Sequence, residues 1–265
     1  MSTGVQLHVL LTGVQTDRLA LTADALNLLA VLAYLAGVWR LGIRGRRWSP
    51  TATACFVGGI ACLWIAVGSG LAAYDDDVAA VHMVQHGLLM MVAPPLLALG
   101  RPVTLATQAL RRPAQVRIVR VVHSPVFGSL THPVAGWLLY YGSMSVLLLD
   151  RRLYDYLLAH PLAHDGSHFV LLIIGYLYWQ PLLGADPSPW RLSPQFRLTS
   201  ALAGGTVEGV LGILILAGAS AITAGATSAG ATFLIVSLST CGLCCPVLIR
   251  RGVTRSVRGQ AATAG

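Results

Sequence analysis

Two pairs of histidines pose the chemical question. His82 and His86 are four residues apart, as are His164 and His168. If each pair lies on a helix, its two imidazoles share one face about one turn apart. Met90 continues the first stripe: at about 100° per residue, His86 and Met90 fall roughly 40° and 80° from His82, and Met83 roughly 100°. All four fall within about 100° of one helix face. His160 precedes the second pair, but Pro161 biases it away from helical geometry and suits a first helical turn, which leaves His164 and His168 as the i, i+4 pair. Imidazole nitrogens beside thioethers suit copper, because divalent affinity peaks there in the Irving–Williams order and thioether sulfur selects Cu(I). Zinc is less favoured, since no neighbouring cysteine or well-placed acid completes a tetrahedral set. The alternative is structural, with these histidines capping helices or hydrogen-bonding between them.

The elements that carry these residues are strongly apolar. The chain has 265 residues, 55% hydrophobic and only 11% charged, with a mean hydropathy of +0.69. An ordinary soluble domain carries roughly 25% charged residues. The net charge of +8 and pI near 9.7 raise the question of nucleic acid. That function needs basic residues on one folded face, whereas here they separate apolar runs, so no nucleic-acid partner is expected. All 18 basic residues are arginine. The absence of lysine excludes Schiff-base chemistry, a P-loop and a retinal-type pigment. Five cysteines, an odd number within or at the ends of apolar runs, argue against a disulfide framework. Met1 to Asp17 lack the features of a cleaved signal, so the first apolar run is expected to stay in the protein.

A helix needs about 20 mainly apolar residues to cross a ~30 Å hydrocarbon core. Seven segments meet that requirement: Leu21–Leu41, Thr51–Ala73, Val78–Gly100, Pro133–Leu149, Asp165–Leu183, Leu198–Ala217 and Ala229–Ile249. Val103 to Phe127 is too polar to span and reads as amphipathic, lying on the membrane surface. Pro94-Pro95 is expected to kink or end the third helix. With seven spans, one set of loops holds fifteen arginines and the other only Arg18, Arg151 and Arg152. By the positive-inside tendency the N-terminus faces outward and the C-terminus inward. Both histidine pairs then sit at the outer ends of their spans, and Asp75, Asp76 and Asp77 just before the first pair form a collector for cations.

Two further groups carry weaker signals. Glu208 is the one acid at membrane depth, where it must be neutral, paired or beside water. It either holds a metal or relays a proton, or it makes a helix-to-helix hydrogen bond. Cys241, Cys244 and Cys245, with Cys55, lie on the inner side, opposite the histidines, as a soft-metal group or as small buried hydrophobes.

The segment His82-Met-Val-Gln-His86, followed by Met90-Met-Val-Ala-Pro-Pro-Leu-Leu-Ala-Leu-Gly100-Arg-Pro102, resembles the signature of the multi-span CtaG-type cytochrome c oxidase assembly factors. The stretch from His164 through Gly175-Tyr-Leu-Tyr-Trp-Gln-Pro181-Leu-Leu-Gly184 resembles that family's second motif, and the likeness runs from about Leu21 to Leu216. The resemblance implies a role in assembling copper-containing terminal oxidases, with delivery or insertion of copper, and the family's histidines fall on His82, His86, His164 and His168. The expectation is therefore an all-α bundle of about seven transmembrane helices, one domain over residues 1–265 with a flexible tail from 251, multi-pass in the plasma membrane. It would not be an enzyme: it would bind copper through His82, His86, His164, His168, Met83 and Met90, with Asp75 to Asp77, Glu208 and His160 in supporting roles, and would serve cytochrome c oxidase subunits. Two other functions remain open: a haem protein with His86 and His168 as axial ligands, and a channel or transporter lined by Glu208.

Overall fold

The computed structural model describes residues 18–74, 78–190, 192–222 and 225–263. Among them 83% are helical and none lies in a strand. In chain order the elements are α1 Arg18–Ile43, α2 Pro50–Val67, α3 Leu71–Tyr74, α4 Ala79–Gly87, a π-helical turn Leu88–Val92, α5 Ala93–Leu99 and α6 Pro102–Ala109. There follow α7 Arg112–Val122, α8 Pro125–Leu130, α9 Pro133–Leu149, α10 Arg151–Ala159, α11 Pro161–Leu183, α12 Pro194–Leu216 and α13 Ala226–Thr263. Many starts follow one rule: a capping side chain and then proline, whose missing N–H is unpaired in a first turn anyway. Ser49, Ser124 and Ser193 precede Pro50, Pro125 and Pro194, and each hydroxyl accepts a hydrogen bond from a first-turn amide.

Among the described residues, five stretches are long and apolar enough to cross a membrane: Ala20–Ile43, Pro50–Val67, Ala79–Ala109, Pro161–Leu183 and Pro194–Leu216. The other two expected spans correspond to shorter apolar helices, Pro133–Leu149 and Ala226–Gly242. At 17 residues α9 is about 26 Å long, a little under the ~30 Å core. Large apolar side chains cover the outer surface, among them Leu29 at 61% and Trp39 at 67% exposure. A bilayer accommodates such a surface, which water would penalise.

The continuous segment from Ala79 to Ala109 is central. α5 packs on α2 and α11, α4 on α13, α9 on α11, and α12 on α13. The expected kink or end at Pro94-Pro95 takes a different form. The helix passes into a π turn, in which the amide of Ala93 donates to the carbonyl of Leu88, and resumes with both prolines in the first turn of α5. The reason is local. Pro94 has no N–H for the carbonyl of Met90, four residues back. That carbonyl instead accepts from Tyr140 Oη at 3.2 Å and Trp179 Nε1 at 3.1 Å, which come from α9 and α11. Replacing Tyr140 and Trp179 together by phenylalanine is expected to lower stability by about 1–3 kcal/mol, the cost of a buried carbonyl left unpaired. Thermal unfolding in detergent checks this, with each single substitution costing less than the pair.

The stretch expected on the membrane surface divides into α6, α7 and α8, and α6 prolongs the apolar segment. The start of α6 is held from a distance. Arg101 adopts a left-handed φ of 55°, and the carboxylate of Asp186 accepts from the amides of Val103 at 3.0 Å and Thr104 at 2.8 Å and from the Thr104 hydroxyl. Burial raises the Asp186 pKa, opposed by those hydrogen bonds and by the Arg101 charge. At the same end, Tyr34 Oη donates to the Gly100 carbonyl, Trp48 Nε1 donates to Tyr34, and the Arg101 guanidinium lies over the Trp48 ring. Arg44 donates to the Gln108 carbonyl. The turns that carry Arg44 and Arg101 and the loop that carries Asp186 thus meet at one end of the bundle.

Candidate metal centre

The histidine pairs lie at the other end. His82 and His86 sit on α4 one turn apart, with ring centroids at 4.3 Å and ring planes tilted by 34°. His164 and His168 sit on α11 at 4.6 Å. The two helices bring the pairs face to face: His82 to His164 is 5.5 Å with rings nearly parallel, and His86 to His168 is 5.6 Å edge to face. The ring of Tyr154, on α10, meets His82 at 5.9 Å. One nitrogen from each of His82, His86 and His164 lies within 4.8 Å of the others, so these three can hold a metal ion. His168 adds a fourth imidazole beside them.

Imidazoles packed for structure alone would find hydrogen-bond partners, because an unpaired buried nitrogen is costly. Here His82 Nδ1, His86 Nε2 and His168 Nε2 are buried and have no hydrogen-bond partner. Such lone pairs are what a cation would use. Room exists as well. A cavity of ≈ 10 Å³ lies between His82, His86, His164 and Tyr154, about the space one water or small ion needs. A second, of ≈ 100 Å³, is lined by Gln85, His164, Asp165 and His168. It adjoins a groove of ≈ 160 Å³ between α1, α2 and α11, and Asp165 and His168 border both.

Gln85 is a polar neighbour that the histidine spacing did not single out. Its Nε2 donates to the Ala66 carbonyl at 2.9 Å, which ties α4 to the end of α2. The available signal was its place between the two histidines of the first pair.

The remaining candidates divide. Met83 and Met90 are almost fully buried and border a small cavity beside His86. His160 stands apart: its ring stacks on exposed Tyr156 at 4.2 Å, and its Nδ1 pairs with the Tyr156 carbonyl, so it closes the turn into α11. Glu208 is buried at the contact of α12 with α13, where its carboxylate accepts from the Ser237 hydroxyl, the helix-to-helix bond that was one of its two readings. Asp75, Asp76 and Asp77 lie outside the described residues, as do the side chains of Cys244 and Cys245. Cys55 and Cys241 are half-buried.

The chain is 30% identical over 200 residues to an uncharacterized protein of Mycobacterium leprae, covering 73% of this chain and 30% of that protein. It is 31% identical over 210 residues to uncharacterized proteins of Mycobacterium bovis and Mycobacterium tuberculosis, covering 77% of this chain and 31% of each. The chain thus spans about a third of the length of these relatives. No solved structure gives a significant match. The family model described as cytochrome c oxidase caa3 assembly factor matches residues 32–240, a stretch that holds both histidine pairs and the proline-interrupted helix. With most of its length matched, the chain belongs to the Caa3_CtaG family.

Proposed function

We propose that the protein is a membrane assembly factor for cytochrome c oxidase that binds copper through His82, His86, His164 and His168 and releases it to an immature oxidase subunit. One observation carries this reading: buried imidazoles from two helices converge while His82 Nδ1, His86 Nε2 and His168 Nε2 lack partners. Nitrogen donors of this kind suit copper, and nearby thioethers extend the preference to the reduced ion. Copper is cargo here, so the site must exchange it. The ≈ 100 Å³ cavity beside His164 and His168 leaves the imidazoles reachable by an incoming ligand. Asp75 to Asp77 precede α4 in sequence and would concentrate cations near it.

The haem reading fits less well. The rings of His86 and His168 stand edge to face at 5.6 Å, and the spaces that these histidines border, of ≈ 10, 20, 100 and 160 Å³, are each below the roughly 300 Å³ or more of a cofactor site. Nothing favours Glu208 as a channel lining over its bond to Ser237.

The test is a cell that lacks the protein and is complemented by wild type or by His82→Ala/His86→Ala, assayed for oxidase activity and oxidase copper at limiting copper. The variant should express normally and restore little of either. Full restoration would make the histidines structural.

The reading also requires the site to face the compartment in which copper is delivered. In the proposed topology α9 and α13 also cross, giving seven spans with the N-terminus outside and the C-terminus inside. A reporter joined after Arg258 should be active only in its cytoplasmic form, and export of the reporter at that point would overturn the topology.

A further inference from the structure

The chain contains five methionines, and one of them is Met1. The other four, Met83, Met90, Met91 and Met144, all border a single cavity of ≈ 20 Å³ beside His86. Three come from α4 and the π turn and one from α9, with Phe233 of α13 on a further side. The four are at most 4% exposed and belong to one core cluster. Ordinary core packing does not gather every internal thioether of a chain around one void, and it fills such a void with carbon. A cavity of this size reaches the roughly 10–15 Å³ that one water or small ion occupies. Polar closure is missing: the wall offers His86, whose Nε2 is buried and has no hydrogen-bond partner. The π turn helps to create the cluster, because the extra residue per turn changes the phase of the helix between His86 and the prolines.

We infer that this cavity is a second metal site, specific for a soft monovalent ion such as Cu(I), formed by the thioethers of Met83, Met90, Met91 and Met144 with His86 as its nitrogen donor. Thioether sulfur discriminates for Cu(I) and against hard or borderline divalent ions, whereas the imidazole tier accepts either state. His86 belongs to both tiers, so it links a shallow, exchangeable nitrogen site to a deeper sulfur site on the same helix. The inference rests on the copper reading above but adds a separate ligand set and a different ion preference.

The experiment uses the purified full chain in detergent, with Ag(I) as a redox-inert probe of the soft site and Cu(I) under anaerobic conditions, each followed by competition titration and X-ray absorption. Wild type should show sulfur in the first shell of bound Ag(I) and Cu(I). Met83→Leu/Met90→Leu/Met144→Leu conserves volume, a kind of change that cores tolerate well. It should remove the sulfur signal and weaken Ag(I) by roughly tenfold or more, while Cu(II) binding at the histidines stays unchanged. Met144→Leu alone, on a different helix from the histidines, should weaken Ag(I) in the same direction and serves if the triple variant folds poorly. In His82→Ala/His164→Ala the sulfur-bound Ag(I) should persist. Nitrogen-only ligation of Cu(I) in wild type would overturn the second site and leave the histidine reading intact. Failure to bind either copper ion or Ag(I) would overturn both.

Discussion

Purified His82→Ala/His86→Ala is expected to lose about a hundredfold or more in copper affinity, at roughly tenfold per 1.4 kcal/mol and with two of four imidazole donors removed. The same change is expected to leave the metal-free protein close to wild type in stability. Two opposed terms lead to that result. Truncating a buried ring costs packing, typically a few kcal/mol, as the site collapses only in part. Yet His82 Nδ1 and His86 Nε2 are buried without partners, each at a cost of about 1–3 kcal/mol that truncation relieves. A structural role predicts the reverse: a large loss of stability in the metal-free protein and no metal effect. Thermal unfolding in detergent with and without copper separates the two. Ligand at 100 times its dissociation constant stabilises by about 2.7 kcal/mol, so the wild-type midpoint should rise with copper and the variant's should not. A variant that unfolds far earlier than metal-free wild type would count against the metal reading.

The second large effect is expected at Gly175. A Cβ there would stand 2.8 Å from Pro94 Cγ and 3.2 Å from the Met90 carbonyl oxygen. Neither neighbour is the loose end of a flexible side chain. One is a proline ring and the other a backbone oxygen that already accepts from Tyr140 and Trp179. Gly175→Val must therefore push α11 away from α5. Overpacking costs about 1–3 kcal/mol, and weakening the two bonds to Met90 adds about 1 kcal/mol. Function should suffer as well, since α11 carries His164 and His168 opposite His82 and His86. The loss of metal affinity is expected to approach that of the histidine variant even though no ligand is touched. Gly166 is the internal control: it lies between His164 and His168 on the same helix, and nothing stands within 4 Å of a Cβ there. Gly166→Ala should be neutral or slightly stabilising, since alanine favours a helix by up to ~1 kcal/mol over glycine. Equal behaviour of the two variants in unfolding and metal titration would overturn the close-contact account.

Much of the site was legible because helical geometry is local. Spacing of four puts two imidazoles on one face wherever a helix forms, so His82 with His86 and His164 with His168 needed no tertiary information. His160 was separable for the same reason: Pro161 starts α11 and leaves His160 at its N-cap, outside the helical stripe. Met83 and Met90 lie on the histidine-bearing segment, but a stripe read at a uniform 100° per residue could not include Met91 or reach Met144. The π turn breaks that period, and Met144 arrives from α9. Glu208 announced that a buried acid needs something, while its partner Ser237 lies 29 residues away on α13. The carboxylate of Asp186 caps the amides of Val103 and Thr104 from more than 80 residues away, a pairing that no local spacing signals.

The sequence by itself determined the solvent, the helical class and the ligand chemistry. Apolar runs of about 20 residues without lysine, with arginine between them or near their ends, are too long for membrane strands and satisfy the backbone in lipid as helices. Only the tertiary structure decided which helices meet. Between apolar helices in a bilayer there is little hydrophobic drive to select neighbours, so close approach and hydrogen bonds select them. The carbonyl that Pro94 releases at Met90, the donors Tyr140 and Trp179 that take it, and the missing side chain of Gly175 bring α11 against the proline-interrupted helix. That contact turns two independent pairs of histidines into one cluster.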